Sequence, residues 1–379
     1  MRRRSELVPG AVDIPLVCLV SRAVRALTFS EDSIRWRLPG LWAGDASLTA
    51  AAPTQRILAI AEEPTTLKRL ASAIQAGGAI PVLVRGPKML EEGPQLLPFR
   101  FAVYAWDGSE NGLQLITSRL RDGAQLVGVT PPSNLEAFTK LLSDPRCNHV
   151  LTADDNGYNM VGITVQKFVT GDLFGIEKYL PQGTEVHLTR LREYKGRTAA
   201  IDEVLAYAEK VGVRRQVRSA IGQVCEELLM NALYDAPVDE QGNPMFAEVE
   251  LKARLEKLSP RPVSIRYAAT ENGFAVSVRD RFGRLDKATV LRSIDKCLHS
   301  AQQIDRKTYG AGLGIYLIAN AATQFVLNVA PGMATEVVCT FDRKVARAHL
   351  RTLSVFVYPG QAQGQQGQGR EGELRSQAG

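Results

Sequence analysis

Short apolar runs alternate with amphipathic helical segments between Arg56 and about Gly175, and this alternation limits the fold more than any other feature of the chain. Strands that alternate with helices pair in parallel, because each helix carries the chain back to the same edge of the sheet. The pattern predicts a doubly wound, flavodoxin-like parallel sheet whose ligand sites lie at the carboxyl ends of the strands. The predicted strands are RILAIA, IPVLVR, FAVYAWD, AQLVGVT and NHVLTA, and the predicted helices are PTTLKRLASAIQAGG, GLQLITSRLRDG and NLEAFTKLLSD.

A different pattern begins near Gly183. One long helix is predicted to end before Pro237, and two apolar runs after it flank Asn272-Gly273, a dipeptide typical of antiparallel hairpins. Helices kept apart from an antiparallel sheet give a two-layer α+β sandwich. The predicted strands are GTEVHLTRL, PVSIRYAAT, FAVSVRD, QFVLNVA and TEVVCTF, and the predicted helices are TAAIDEVLAYAEKVG, VRRQVRSAIGQVCEELLMNALYDA and residues 287–299.

The chain has 379 residues, more than one ordinary hydrophobic core holds, so two domains are expected. We place the doubly wound domain at residues 54–178 and the sandwich at residues 183–345. Residues 1–53 form an N-terminal extension whose pattern favours neither order nor disorder. The Gln/Gly-rich residues 360–379 are expected to be disordered, because they offer too little apolar surface to offset chain entropy.

Composition excludes several classes of partner. The net charge is +6, but basic residues are spread along the chain without an aromatic-interleaved stripe, which argues against nucleic-acid binding. The five cysteines have no C-x-x-C spacing and lie mostly in apolar runs, as expected for reduced, buried thiols in the cytoplasm. No segment reaches the roughly 18 apolar residues that a membrane span requires.

Three polar side chains stand at helical spacing within the long helix. Glu227, Asn231 and Asp235 lie four residues apart and therefore share one face. A solvent-exposed face would also tolerate them, so two further segments decide the interpretation. These are Asp280-Arg281-Phe282-Gly283 after a hairpin strand, and Gly310-Ala311-Gly312-Leu313-Gly314 at the start of a helix.

In order and approximate spacing these three segments resemble the GHKL superfamily, the ATP-binding fold of histidine kinases, anti-sigma-factor serine kinases, Hsp90 chaperones, DNA gyrase and MutL. The resemblance covers about residues 183 to 345. It implies a Bergerat-type fold that binds ATP and Mg²⁺.

The long helix and the glycine run carry chemistry suited to the phosphates. The Asn231 amide oxygen is a hard neutral ligand for a Mg²⁺ that also bridges triphosphate oxygens. Glu227, one turn earlier, would orient or deprotonate an attacking water or hydroxyl. Glycines let backbone N–H groups approach phosphate oxygens at a helix N-terminus. The residues predicted to contact phosphate are Gly310, Gly312 and Gly314, with Lys307 or Arg306 in the preceding polar segment as the lid cation.

The second motif would hold the base. The resemblance implies that Asp280, with Gly283 beside it, accepts a hydrogen bond from the exocyclic amine of adenine, and that Thr335 supports the base through water. Phe282 departs from the family, because it occupies the first glycine position of the usual D-x-G-x-G run. Its ring would either wall the adenine or narrow the pocket. Asp235 lies where many relatives carry His, Asp or Glu.

The segment before the long helix indicates how the nucleotide is used. Among the four histidines only His187 lies suitably upstream, and its surroundings lack the paired acid and the helical hairpin of a phosphoacceptor. This disfavours an atypical histidine kinase of a two-component system. A helix leading directly into the Asn231 helix resembles anti-sigma-type serine/threonine kinases. The resemblance implies a cytoplasmic bacterial signalling protein that phosphorylates or grips a partner such as a sigma-factor regulator; a non-catalytic, nucleotide-dependent binding module is the alternative.

The first unit resembles a response-regulator receiver domain at RILAIAEEP. Glu62 and Glu63 match the metal-binding acidic pair, Asp107 the phosphoacceptor and Thr130 the switch hydroxyl. The fifth strand ends in Thr152, whereas receivers place a Lys there to make a charge-assisted contact to phosphate. Glu in place of Asp also alters the geometry that Mg²⁺ requires. We therefore expect a degenerate receiver used for protein contact or homodimerisation; a working phosphoacceptor and an unrelated α/β module are the alternatives.

Overall fold

The computed structural model describes residues 55–91, 97–131, 135–193, 195–246, 258–299, 313–345 and 350–358. The predicted N-terminal extension at residues 1–53 and the predicted tail at residues 360–379 lie outside these ranges. None of the helices within them has the length and hydropathy that crossing a bilayer requires.

All described strands belong to one mixed β-sheet. Their bounds are β1 Arg56–Ala61, β2 Ile80–Arg85, β3 Phe101–Ala105, β4 Gln125–Thr130, β5 Cys147–Thr152, β6 His187–Glu193, β7 Leu258–Ala269, β8 Gly273–Asp280, β9 Gln324–Ala330, β10 Ala334–Asp342 and β11 Thr352–Val357. The sheet has eleven strands in the order β2-β1-β3-β4-β5-β11-β9-β10-β8-β7-β6.

Eight α-helices within the described residues pack on this sheet. Their bounds are α1 Pro64–Ala76, α2 Glu110–Arg119, α3 Leu135–Leu142, α4 Asp155–Thr170, α5 Gly196–Lys210, α6 Arg215–Met230, α7 Lys287–His299 and α8 Leu313–Ala321. Two short 3-10 turns, Pro87–Leu90 and Ile176–Tyr179, and a π turn, Asn231–Asp235, complete the set.

The first five strands form the predicted parallel unit. They pair in the order β2-β1-β3-β4-β5, every pair parallel. Residues 57–61 of β1 are at most 1% exposed, because helices cover both faces of the sheet. Two details differ from the sequence prediction: β3 ends at Ala105 rather than Asp107, and helix α4 has no counterpart among the predicted elements.

The second half contains the predicted antiparallel strands. β7 and β8 form a hairpin across Asn272-Gly273, where the Thr270 amide donates to the Gly273 carbonyl over 2.9 Å. β8 pairs with β10, and β10 pairs with β9, also antiparallel. The mixed α/β class expected from the sequence is therefore confirmed.

Strand β11 joins the two halves into one sheet, which corrects the expectation of two separate sheets. It runs antiparallel to β5, with Leu353 opposite Val150, and parallel to β9, with Leu353 opposite Phe325. Backbone hydrogen bonds therefore continue from the parallel half into the antiparallel half. The predicted boundaries between domains fall within this continuous sheet and remain a prediction.

Hydrophobic side chains fill two layers, one on each face of the sheet. On the first face, α2 and α3 cover the parallel half, and α5, α6, α7 and α8 cover the antiparallel half. On the second face, α1 and α4 cover the parallel half. Each cluster extends across the β5-β11-β9 boundary, so both halves share their hydrophobic layers.

The connection between the halves covers the second face of the antiparallel strands. Ile176 in this connection is fully buried. The Arg279 guanidinium lies 4.3 Å from the ring centroid of Phe174, and Arg266 forms an ion pair with Glu177. The predicted two-layer sandwich therefore carries a third layer made of α4 and residues 171–186.

Truncation of Leu353 tests the structural role of β11. This side chain is fully buried as the second residue of the strand, so Leu353→Ala should reduce the free energy of unfolding by about 2–5 kcal/mol. The loss should appear in a single transition, measured by urea denaturation with circular dichroism and tryptophan fluorescence. Val357 on the same strand is 45% exposed, so Val357→Ala is the matched control and should change stability by less than about 1 kcal/mol. Two separate transitions, with only one shifted by Leu353→Ala, would contradict the continuous sheet.

Candidate functional site

Asp280 ends strand β8 and is buried. It is 6% exposed, and its Oδ1 accepts hydrogen bonds from the amides of Phe282 (2.7 Å), Gly283 (3.2 Å) and Thr335 (3.3 Å). No described residue donates to its second carboxylate oxygen, Oδ2. Burial raises the pKa of Asp280, whereas the three amide donors favour its ionised form. The carboxylate is therefore fixed through one oxygen and offers the other to a ligand.

Thr335 lies directly across from Asp280 on strand β10. It is 3% exposed, and its Oγ1 lies near the Asp280 carboxylate without making a hydrogen bond of standard geometry. A buried hydroxyl without a partner costs about 1–3 kcal/mol. Such groups call for an explanation, and a bound ligand or water supplies one.

The turn after Asp280 packs against the turn between β9 and β10. Gly283 has φ of +67°, and a Cβ there would lie 2.2 Å from the Ala330 carbonyl oxygen, so only glycine fits. Phe282 is 3% exposed, and the Arg261 guanidinium lies 5.3 Å from its ring centroid. The Phe282 ring is therefore part of the packed wall of this region.

Helix α6 carries Glu227, and the π turn that follows it carries Asn231 and Asp235. Glu227 and Asn231 are half-buried, whereas Asp235 is exposed. The helix widens after Met230 into the π turn, in which the Ala236 amide donates to the Asn231 carbonyl over 2.8 Å. Both α6 and the π turn contact β8, the strand that ends in Asp280. Isolated π turns are frequent at functional sites.

The electrostatic surroundings of Glu227 favour its protonated form. Burial raises the pKa of this carboxyl group, and the nearby Glu226 and Asp235 carboxylates raise it further. Arg197 at the start of α5 opposes this effect and forms an ion pair with Glu226. The sequence analysis missed Arg197, because no local pattern marks a residue that acts across two helices.

The predicted phosphate-binding residues fall largely outside the described ranges. Arg306, Lys307, Gly310 and Gly312 all lie there, so their roles remain predictions. Gly314 is the second residue of α8, so this helix begins within the glycine run. Among the described residues, Asp280 and Thr335 lie on paired strands, and the helix that carries Glu227 and the π turn that carries Asn231 both contact β8.

The predicted receiver residues lie at the carboxyl edge of the parallel strands. Glu62 and Glu63 follow β1 and are exposed, and Thr130 ends β4 and is buried. Asp107, however, stands two residues beyond the end of β3. Its Oδ1 accepts hydrogen bonds from the Ser109 amide (2.8 Å) and the Tyr104 hydroxyl (3.3 Å).

Other features of this edge resemble a structural turn more than a reaction centre. Thr152, in the position of the receiver lysine, is buried and donates through Oγ1 to Asp154, the residue that caps α4. Burial and the Asp107 carboxylate raise the pKa of Tyr104, so its hydroxyl stays a proton donor to Asp107. No cluster of three or more His, Cys, Asp or Glu side chains suited to a metal occurs within the described ranges. The expectation of a degenerate receiver remains a prediction.

Phosphoryl donors test the role of Asp107. We expect incubation with acetyl phosphate and Mg²⁺ to leave the intact mass unchanged, because one carboxylate oxygen is already engaged and Asp107 lies beyond the strand end. Asp107→Asn is the control for adducts at other residues. A phosphoryl adduct in the parent protein that Asp107→Asn abolishes would establish a working phosphoacceptor.

Comparisons with known proteins do not assign the chain to a family. No protein-family model and no curated protein matches it. Among solved structures, a chain of "The crystal structure of SiaB-SiaC complex from Pseudomonas aeruginosa" is similar to it at 14% sequence identity, over 41% of this chain and 88% of that chain, with a TM-score of 0.30. A likeness of this degree transfers neither fold nor function.

Proposed function

We propose that the antiparallel half binds ATP with Mg²⁺ and that the protein acts in signal transduction as an anti-sigma-type serine/threonine kinase or an ATP-gated partner switch. The observation that carries this proposal is the pairing of Asp280 and Thr335. They are buried opposite one another on neighbouring strands, and among the described residues no hydrogen bond of standard geometry engages the Thr335 hydroxyl or the second Asp280 oxygen.

These two groups suit adenine. The Asp280 Oδ2 can accept a hydrogen bond from the exocyclic amine of adenine, whereas guanine would present a carbonyl oxygen that a carboxylate repels. The Thr335 hydroxyl can donate to a ring nitrogen or to a water beside it. Adenine would therefore satisfy polar groups that the protein leaves without partners.

Residues on α6 suit the other end of the nucleotide. Asn231 would offer its amide oxygen to a Mg²⁺ that arrives with the triphosphate. Glu227 would accept the proton of an attacking hydroxyl, and its raised pKa makes it a stronger base once ionised. The ligand supplies the phosphoryl group, and these two side chains orient and activate the acceptor.

A non-catalytic, nucleotide-dependent binding module is the second candidate. The packed Phe282 at the family's first glycine position favours it, because a wall that closes one side of the pocket restricts how the nucleotide sits. A histidine kinase is less well supported. His187 lies on strand β6, stacked on Tyr267 at 5.1 Å and beside Tyr207 at 4.3 Å, rather than on a helical hairpin.

Removal of the Thr335 hydroxyl tests nucleotide binding. Thr335→Val keeps the shape of the side chain and removes a buried polar atom without a partner, so stability should be unchanged or slightly higher. ATP affinity should nevertheless fall by roughly fivefold, the equivalent of about 1 kcal/mol for one hydrogen bond, as measured by isothermal titration calorimetry.

Ser277 offers a matched control for this experiment. Ser277 lies on β8, and its hydroxyl, like that of Thr335, is buried without a hydrogen bond of standard geometry. Its side chain points to the opposite face of the sheet from Asp280. Ser277→Ala should therefore leave ATP affinity unchanged. Equal ATP affinities in the parent, Thr335→Val and Ser277→Ala proteins would remove Thr335 from the site.

Substitution of Glu227 separates the kinase from the binding module. Glu227→Gln should retain ATP binding while ADP formation and phosphoryl transfer fall by about 10²–10⁴-fold. Because the base acts in its ionised form, the parent rate should decline as pH falls through the raised pKa of Glu227, and the variant should lose this dependence. ADP formation is measured with purified protein across pH 5 to 8. A parent protein that binds ATP but forms no ADP or phosphoprotein would establish the non-catalytic alternative.

A further inference from the structure

A buried lysine connects the first half of the chain to the strands that carry Thr335. Lys167 on α4 is 1% exposed. Its ammonium donates to the Asn328 Oδ1 on β9 over 2.6 Å and to the Tyr179 hydroxyl over 2.8 Å. It also lies 3.4 Å from the ring centroid of Phe356 on β11. A single cationic group therefore contacts both strands at the boundary between the halves.

The network continues from Asn328 to a buried carboxylate. The Asn328 Nδ2 donates to the Glu336 Oε2 on β10 over 3.0 Å, and the Gly175 amide donates to the same oxygen over 2.8 Å. Asn328 and Glu336 are at most 1% exposed. Buried charges persist where hydrogen bonds and an opposite charge compensate them. The ammonium, the amide and the carboxylate therefore form one compensated unit.

This unit lies on the opposite face of the sheet from the proposed base-binding groups. Glu336 follows Thr335 in β10, so the two side chains point to opposite faces of the sheet. Asn328 is the cross-strand partner of Glu336, and Asp280 is the cross-strand partner of Thr335. Lys167 therefore holds the β9–β10 hairpin on one face of the sheet, and Thr335 lies on the opposite face.

We propose that Lys167 is a positioning residue for the nucleotide pocket: it fixes the β9–β10 hairpin through Asn328 and Glu336, so the receiver-like half sets the affinity of the other half for nucleotide. The positioning of the hairpin rests on contacts within the protein, and only the ligand rests on the proposed function. The first half then regulates the site through a fixed packing contact rather than through phosphorylation.

The buried charges of Lys167 and Glu336 explain why the position of the β9–β10 hairpin should depend strongly on Lys167. Burial lowers the pKa of Lys167 well below its usual value, and the nearby Glu336 carboxylate opposes that shift. Loss of either charge leaves the other in a site without water, which is more costly than loss of an exposed ion pair. The hairpin can relieve that cost only by moving, and movement of β10 displaces the Thr335 amide from Asp280.

Hydrogen exchange of the hairpin tests this positioning without nucleotide. Lys167→Met keeps the length and packing of the side chain but removes the charge. Amide exchange in residues 331–337, which include the Thr335 donor to Asp280, should become roughly tenfold faster or more. Exchange is followed by mass spectrometry on the full chain, with a β1 peptide as an internal reference.

Lys287 supplies the matched control. It also ties the two halves together, because its ammonium donates to the carbonyls of Asp144 (2.9 Å) and Cys147 (2.7 Å). It does not contact the β9–β10 hairpin among the described residues. Lys287→Met should therefore leave hairpin exchange within about twofold of the parent.

The double variant Lys167→Met with Glu336→Gln guards against a misfolded single variant, because it removes both buried charges together. It should fold and still show the faster hairpin exchange. Hairpin exchange unchanged in Lys167→Met and in the double variant would overturn the proposal, as would an equal acceleration in Lys287→Met.

ATP titration then separates this inference from the proposed function. In a parent protein that binds ATP, Lys167→Met should raise the dissociation constant roughly tenfold, and Lys287→Met should not. Faster hairpin exchange in Lys167→Met, together with a parent protein that does not bind ATP, would refute the proposed function and retain the positioning role. ATP affinity unchanged in Lys167→Met despite a loosened hairpin would overturn the regulatory part of the inference.

Discussion

Backbone pairing of strand β11 with both β5 and β9 is the interaction on which the rest of the structure depends. Without it the parallel and antiparallel strands would form two sheets with four edges. With it, one sheet of eleven strands carries hydrophobic layers that continue across the boundary. Such a continuous sheet transmits displacement, because close-packed layers deform little and every strand between the edge strands β2 and β6 has a neighbour on both sides.

This continuity gives the two faces of the β9–β10 hairpin different roles. The front face carries Thr335 opposite Asp280, where polar atoms are left without partners. The opposite face carries Asn328, which accepts from Lys167 and donates to Glu336, and Glu336, whose Oε2 also accepts from the Gly175 amide. Polar groups that lack hydrogen-bond partners keep their positions only where the strands that carry them are held rigidly. The hydrogen bonds of Asn328 and Glu336 on the opposite face supply that rigidity. In our account the receiver-like half is therefore part of the nucleotide site's framework.

Local patterns predicted most of the elements because their signals are local. The alternation after Arg56 gives the parallel strands, and Asn272-Gly273 gives the β7–β8 hairpin. Helix α4 was missed: its apolar residues are mostly Val and Ile, which have low helix propensity, so its formation depends on burial against the sheet. Strand β11 has six residues, four of them apolar, and its partners, β5 and β9, are fixed only by long-range packing.

The same distinction applies to the candidate site. Asp280, Gly283 and Thr335 were identified from a motif, and the structure places them together because β8 and β10 are adjacent. Lys167 and Asn328 are 161 residues apart and belong to no motif, so the sequence carried no signal of their contact. The departure of Asp107 from the strand end was also missed, because the length of β3 depends on its pairing with β4.

Calorimetric titration of the full chain with ATP and with GTP, each in the presence and absence of Mg²⁺, tests the central claim most directly. The account predicts one ATP bound per chain, tighter with Mg²⁺, and GTP bound at least roughly tenfold more weakly, because the Asp280 carboxylate accepts from an amine and repels a carbonyl. Absence of ATP binding, or equal affinity for the two nucleotides, would contradict it.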